Sequence, residues 1–164
     1  MVTYAMDILE TLRRSGVVAA IARHEALAPS DAGVAVRALL PGLLAGLRGR
    51  YEQQGQEAAR PGPLEDLLNA LGGPDMVLHI LQPDRPDIRR GETLLMPLCG
   101  SLETSRQLAA HAARNSPVNA EQAYRILAML AMAVGGYVAA RLRSARALSH
   151  GVPDFAELLG GAEN

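Results

Sequence analysis

The run Ile126-Leu127-Ala128-Met129-Leu130-Ala131-Met132-Ala133-Val134-Gly135-Gly136-Tyr137-Val138-Ala139-Ala140 carries no charge and is bounded by Arg125 and Arg141. As a helix it would be about 23 Å long, short of the roughly 30 Å hydrocarbon core of a bilayer. It reads as a helix enclosed by protein rather than a membrane span, and a helix that is apolar on every side needs other helices around it. Upstream, Asn119 and Gln122 have capping-box spacing, so the helix should begin at Asn119 and run to about Ala147, with Gly135 and Gly136 its weakest point.

Sliding the chain by 90 residues lays this run on an earlier one. Met6, Leu12, Ser15, Ala19, Ala20, Ala22, Ala38, Leu40 and Gly46 fall on Met96, Leu102, Ser105, Ala109, Ala110, Ala112, Ala128, Leu130 and Gly136. Asp31/Glu121, Val36/Ile126 and Leu47/Tyr137 are conservative pairs in the same register. The expectation is an all-α single domain, 1–164, a compact bundle of two pseudo-repeated helical units at about 6–73 and 96–161. A loop over about 82–91, with Pro83, Pro86 and alternating charges, should join them.

Composition agrees with a helical core. The chain is 49% hydrophobic yet has no Trp, one Phe and four Tyr, so its interior must be built from Ala, Leu, Val, Ile and Met. All 16 basic residues are Arg, and the formal charge of -1 gives no general attraction to nucleic acid or anionic lipid. One cysteine, Cys99, excludes an internal disulfide, and the N-terminal residues lack the layout of a secretory signal. Cytoplasmic residence is the resulting expectation.

In the first unit, Thr11 should cap a helix through about Leu27, and Ala28-Pro29-Ser30-Asp31 should turn into a second helix carrying Val36, Leu39, Leu40, Leu43 and Leu47. Pro41 should kink or divide that helix. In the second unit Ser101 takes the capping role, Leu102 to Asn115 the first helix and Ser116-Pro117-Val118-Asn119 the turn. Short helices at Pro63 to Leu71 and Pro153 to Leu159 should each end at a glycine pair. Tyr51 to Gly62 reads as a loop.

The segment Gly91-Glu92-Thr93-Leu94-Leu95-Met96-Pro97-Leu98-Cys99-Gly100-Ser101, followed by an Ala-rich helix, a polar turn and Leu127 to Tyr137, resembles the repeat of domain of unknown function 937. Leu39 to Leu47, with Pro41 inside, is similar to that family's proline-kinked helix, while the second copy has Ala131 in place of the proline. The resemblance covers Met6 to Leu47 and Gly91 to Leu142. It implies an all-helical bacterial protein and carries across no catalytic or binding residue.

The residues themselves give little chemistry. Cys99 precedes a helix start that could activate a thiol, but a structural thiol is the plainer reading. His24, His79, His111 and His150 lack metal-ligand spacing. Arg141, Arg143 and Arg146 suit the end of a long helix without any ligand. Gly42 and Gly46, and Ala131, Gly135 and Ala139, recur every four residues and should let helix backbones approach closely, one unit against the other. No catalytic, cofactor-binding or metal-ligating residue is assigned, and no cofactor is expected. The leading expectation is a noncatalytic, self-associating or protein-binding module. Its rivals are a small-molecule-binding module or enzyme with a pocket between the units near Cys99, His111 and Arg141, and, third, a DNA-binding regulator.

Overall fold

The computed structural model describes residues 3–53 and 62–147 with Phe155, Leu158 and Leu159; the side chains of 3–6 and of Arg146 are outside that description. Among the described residues the protein is all-helical: α1 (Thr3–Arg14), α2 (Val17–His24), α3 (Pro29–Gln53), α4 (Pro63–Ala70), α5 (Asp75–Leu81), α6 (Arg89–Cys99), α7 (Leu102–Ala113) and α8 (Ala120–Ala147). Helix α8 is the axis. Helices α2 to α7 all pack on it, and α1 lies against α2 and α3.

The uncharged run explains this arrangement. From Ile126 to Val134 no residue is more than 1% exposed, so the whole circumference of α8 is covered by protein. At about 1.5–3 kcal/mol for each large apolar side chain, this burial is the main driving force for wrapping the chain around α8. The expected capping box forms: the Asn119 backbone N–H donates to Gln122 Oε1 (3.1 Å) and the Gln122 N–H to Asn119 Oδ1 (2.8 Å). Both α3 and α8 are long and apolar enough to cross a membrane by length and composition, with 50% and 83% of their apolar windows buried inside the protein.

Ser101 caps α7 as expected, its hydroxyl accepting from the Thr104 N–H at 3.0 Å. Thr11 does not cap a helix running to Leu27. It lies inside α1 and donates to the Asp7 carbonyl, while Gly16, at φ 90°, ends α1 and opens α2. A left-handed glycine interrupts the chain more strongly than a mid-helix threonine can start it. The 90-residue register would put the matching break at Arg106, within α7, whereas the second break comes at Gly100, φ 92°. The shift therefore sets α3 opposite α8 but does not hold for the helices before them.

Pro41 does not divide α3, which continues to Gln53. The proline lies on the exposed side, where water can satisfy the Arg37 carbonyl that loses its partner. The linker is shorter than expected, because α6 starts at Arg89, and a second helical proline, Pro97, lies within it. Pro63 opens α4, and Gly72 and Gly73 close it at positive φ, Gly73 N–H reaching the Leu68 carbonyl at 2.8 Å. Beyond this glycine pair the chain makes a turn and then enters helix α5. Of the corresponding C-terminal segment only Phe155, Leu158 and Leu159 are described; all are buried, and Phe155 packs on Tyr51 at 6.1 Å between ring centroids. The remainder, with Gly160 and Gly161, lies outside the described residues, as does most of the expected loop after Gln53.

The glycines are sites of close approach rather than weak points. A β-carbon on Gly91 would lie 2.1 Å from the Ala128 carbonyl oxygen of α8, and one on Gly46 would lie 2.2 Å from that of Leu98 in α6. Gly135 faces Leu68 and Leu94, and Gly136 faces Val77. Small residues thus bring α3 and α8 against α6 within one chain.

Among the described non-glycine residues, one is held in an uncommon conformation. Ala26, φ 57°, ends α2 where glycine is usual, with Leu27 N–H bonding the Ala22 carbonyl at 2.8 Å. Ala26→Gly removes a steric cost of about 1–2 kcal/mol and adds unfolded-chain entropy. The expected net gain is about 0.5–1 kcal/mol, read as a higher urea midpoint.

Candidate functional site

The turn at Ala26 buries Glu25, whose side chain is 2% exposed. Burying a carboxylate requires a partner, and Arg125, one turn into α8, supplies it. Its Nε donates to both carboxylate oxygens at 3.0 Å and its Nη2 to Oε1 at 2.8 Å, across 100 residues of sequence. Arg85 adds a longer contact, Nη2 to Oε2 at 3.5 Å. The hydrogen bond to Glu25 raises the Arg125 pKa above its usual value.

Neighbouring groups fix the same turn to α5. His24 Nε2 donates to the Ile80 carbonyl at 2.8 Å, which sets the ring's tautomer. Arg23 donates to the carbonyls of Gln82 (3.1 Å) and Leu81 (3.4 Å). The Arg23 guanidinium thus meets the carbonyl end of α5, where positive charge is favoured.

The network continues along α8. Glu121 lies 3.9 Å from Arg125 Nη1 and 3.4 Å from Arg106 Nη1, and the Arg106 guanidinium sits 4.0 Å from the centre of the Tyr124 ring. Tyr124 Oη donates to Glu92 Oε2 at 2.6 Å. Burial first, and then the hydrogen bond to Glu92, push the Tyr124 pKa up to about 12 from 10.0. Because the folded-state value is the higher, the stabilisation this implies is present below pH 10.0 and is lost as pH rises toward about 12. Stability measured across that window should fall less steeply in Tyr124→Phe than in the wild type; equal slopes would exclude this tyrosine as the cause.

Three spaces are relevant to ligand binding. A hollow of about 200 Å³ is lined by His24, Glu25, Arg85, Pro86, Ile88, Arg125 and Met129. A surface groove of about 440 Å³ is lined by Arg50, Gln53, Pro63, Leu64, Leu67 and Pro97. Between α3, α6 and α8, by Leu43, Leu94, Ala131 and Gly135, the packing leaves no room for a water molecule. None of these spaces has Cys99, His111 or Arg141 in its wall.

The residues singled out from sequence are thus dispersed. Cys99 is half-buried at the end of α6, and His111 is exposed on α7. Arg143 bonds the Asn69 side chain at 3.2 Å rather than joining a cationic cluster, and the side chain of Arg146 and all of His150 lie outside the described residues. Among the described residues no three His, Cys, Asp or Glu side chains are grouped to hold a metal ion. Glu25 carries no spacing signal, since its partner is so distant in sequence. Arg125 reads in sequence only as the charged residue that bounds the uncharged run near the beginning of the long helix. Chemically, the arrangement holds charge in place, with both Glu25 carboxylate oxygens engaged by arginine.

No family model, curated protein or solved structure matches the chain.

Proposed function

We propose that the protein is a noncatalytic helical module that associates with a second copy of itself through the outer face of α3. One observation carries this reading. On α3, Val34, Ala38, Pro41 and Ala45 succeed one another at helical spacing; Val34 is 37% exposed, Pro41 and Ala45 are exposed and Ala38 is half-buried. In the 90-residue register these positions correspond to Tyr124, Ala128, Ala131 and Gly135 of α8, all buried. The face that α8 covers with its own neighbours is left open on α3, and an apolar helix face without a cover favours association.

Dispersed candidate groups and the tight packing between α3, α6 and α8 favour this reading over an enzyme with a pocket between the units. The likeness to domain of unknown function 937 would make it an all-helical bacterial protein and assigns no activity, and cytoplasmic residence belongs to the same proposal. On this reading α3 and α8 are buried in protein, and neither spans a membrane.

Sedimentation velocity over a micromolar concentration series tests the proposal. The wild type should form a dimer or larger species, and Ala38→Glu with Ala45→Glu should be monomeric at unchanged helical content. A wild-type chain that stays monomeric throughout, or a double variant that assembles equally well, overturns self-association through α3.

A further inference from the structure

We propose that the hollow at the Glu25 turn is a binding site for a small monocarboxylate with a short apolar tail. The site differs in place and chemistry from the α3 face and does not depend on it. Its inner end is ionic: Glu25 is held by the Arg125 fork, and that engagement leaves Arg125 Nη1 with no partner nearer than Glu121 at 3.9 Å among the described residues. Arg85 closes the rim. Its side chain is 63% exposed and its single contact with Glu25, at 3.5 Å, is long for a charged hydrogen bond, so it can turn to an incoming anion at little cost.

Charge selects the class of ligand. Of the residues that line the hollow, two arginines, Arg85 and Arg125, stand against one carboxylate, Glu25, which leaves one positive charge in its wall to be balanced. A monoanion satisfies that balance, and the planar guanidinium matches a carboxylate through paired hydrogen bonds. Pro86, Ile88 and Met129 form the apolar part of the wall, suited to a short hydrocarbon tail. The volume, about 200 Å³, is below the roughly 300 Å³ at which sites for drug-sized molecules begin, and so limits the tail to a few carbons.

Sodium butyrate is a suitable probe, with butyramide as the uncharged analogue and sodium chloride at matched ionic strength as the control for an adventitious ion. Titration of the full chain should give saturable NMR shifts of the Arg85 and Arg125 Nε–H groups and the Met129 methyl, half-complete at about millimolar butyrate. Arg85→Gln, at a mostly exposed position, should keep the remaining spectrum and weaken binding at least tenfold. The site is disproved if butyrate leaves these resonances unmoved, if butyramide or chloride moves them equally, or if Arg85→Gln binds butyrate as tightly as the wild type. None of these outcomes alters the sedimentation result expected for α3.

Discussion

Gly91→Ala is expected to destabilise the protein by on the order of 4 kcal/mol, because the added methyl has nowhere to go. A β-carbon there would stand 2.1 Å from the Ala128 carbonyl oxygen and 2.7 Å from its carbon, which are backbone atoms of α8 that no side-chain rotation can move. Helix α6 would have to withdraw from the axis of the bundle and lose the burial of Leu94 and Leu95, both fully enclosed. Since a domain of this kind is stable by roughly 5–15 kcal/mol, such a loss should lower the melting temperature by about 10 °C or prevent folding. Gly49→Ala is the matched control. That glycine is exposed within α3 with nothing within 4 Å of the new atom, and alanine should stabilise the helix by about 0.5–1 kcal/mol. Thermal unfolding of the two variants checks this contrast, and similar shifts for both would remove close α6–α8 packing as its basis.

Arg125→Ala is expected to cost about 3 kcal/mol, since it leaves the Glu25 carboxylate buried with only the distant, exposed Arg85 beside it. The pair as a whole should contribute far less. Replacing both partners with apolar residues, Glu25→Leu with Arg125→Met, removes the desolvation cost together with the attraction and should fall within about 1 kcal/mol of the wild type. A double-mutant cycle in urea separates these terms. If Arg125→Ala costs less than about 1 kcal/mol, the pair behaves as a surface salt bridge and Glu25 is better solvated than its burial indicates.

Much of the helical architecture was legible because it is local. The cap at Ser101, the box at Asn119 and Gln122, the start at Pro29 and the glycine stop after α4 depend on groups a few residues apart, and all form as expected. Local signals misled where two of them competed. Thr11 is a good cap residue, but Gly16 in the left-handed region set the break instead. Helix α6 was obscured by its Gly91 and Pro97, residues that usually weaken a helix and here serve a close approach or sit inside it without ending it. The candidate site was not legible: Glu25 comes just after a helix end with no distinctive neighbours, and Arg125 stands only as the charged boundary of the uncharged run, its partner 100 residues away.

The sequence by itself determined that the chain is all-helical and that Ile126 to Ala140 is its most apolar helix, because periodicity, capping and propensity act within one or two turns. Only the tertiary structure decided that Glu25 meets Arg125, that Gly91 fits beneath Ala128, and that the face covered on α8 is open on α3. Each depends on which elements come to lie side by side. That outcome is set by the burial and fit of the whole chain around α8, and no single segment holds the information for it.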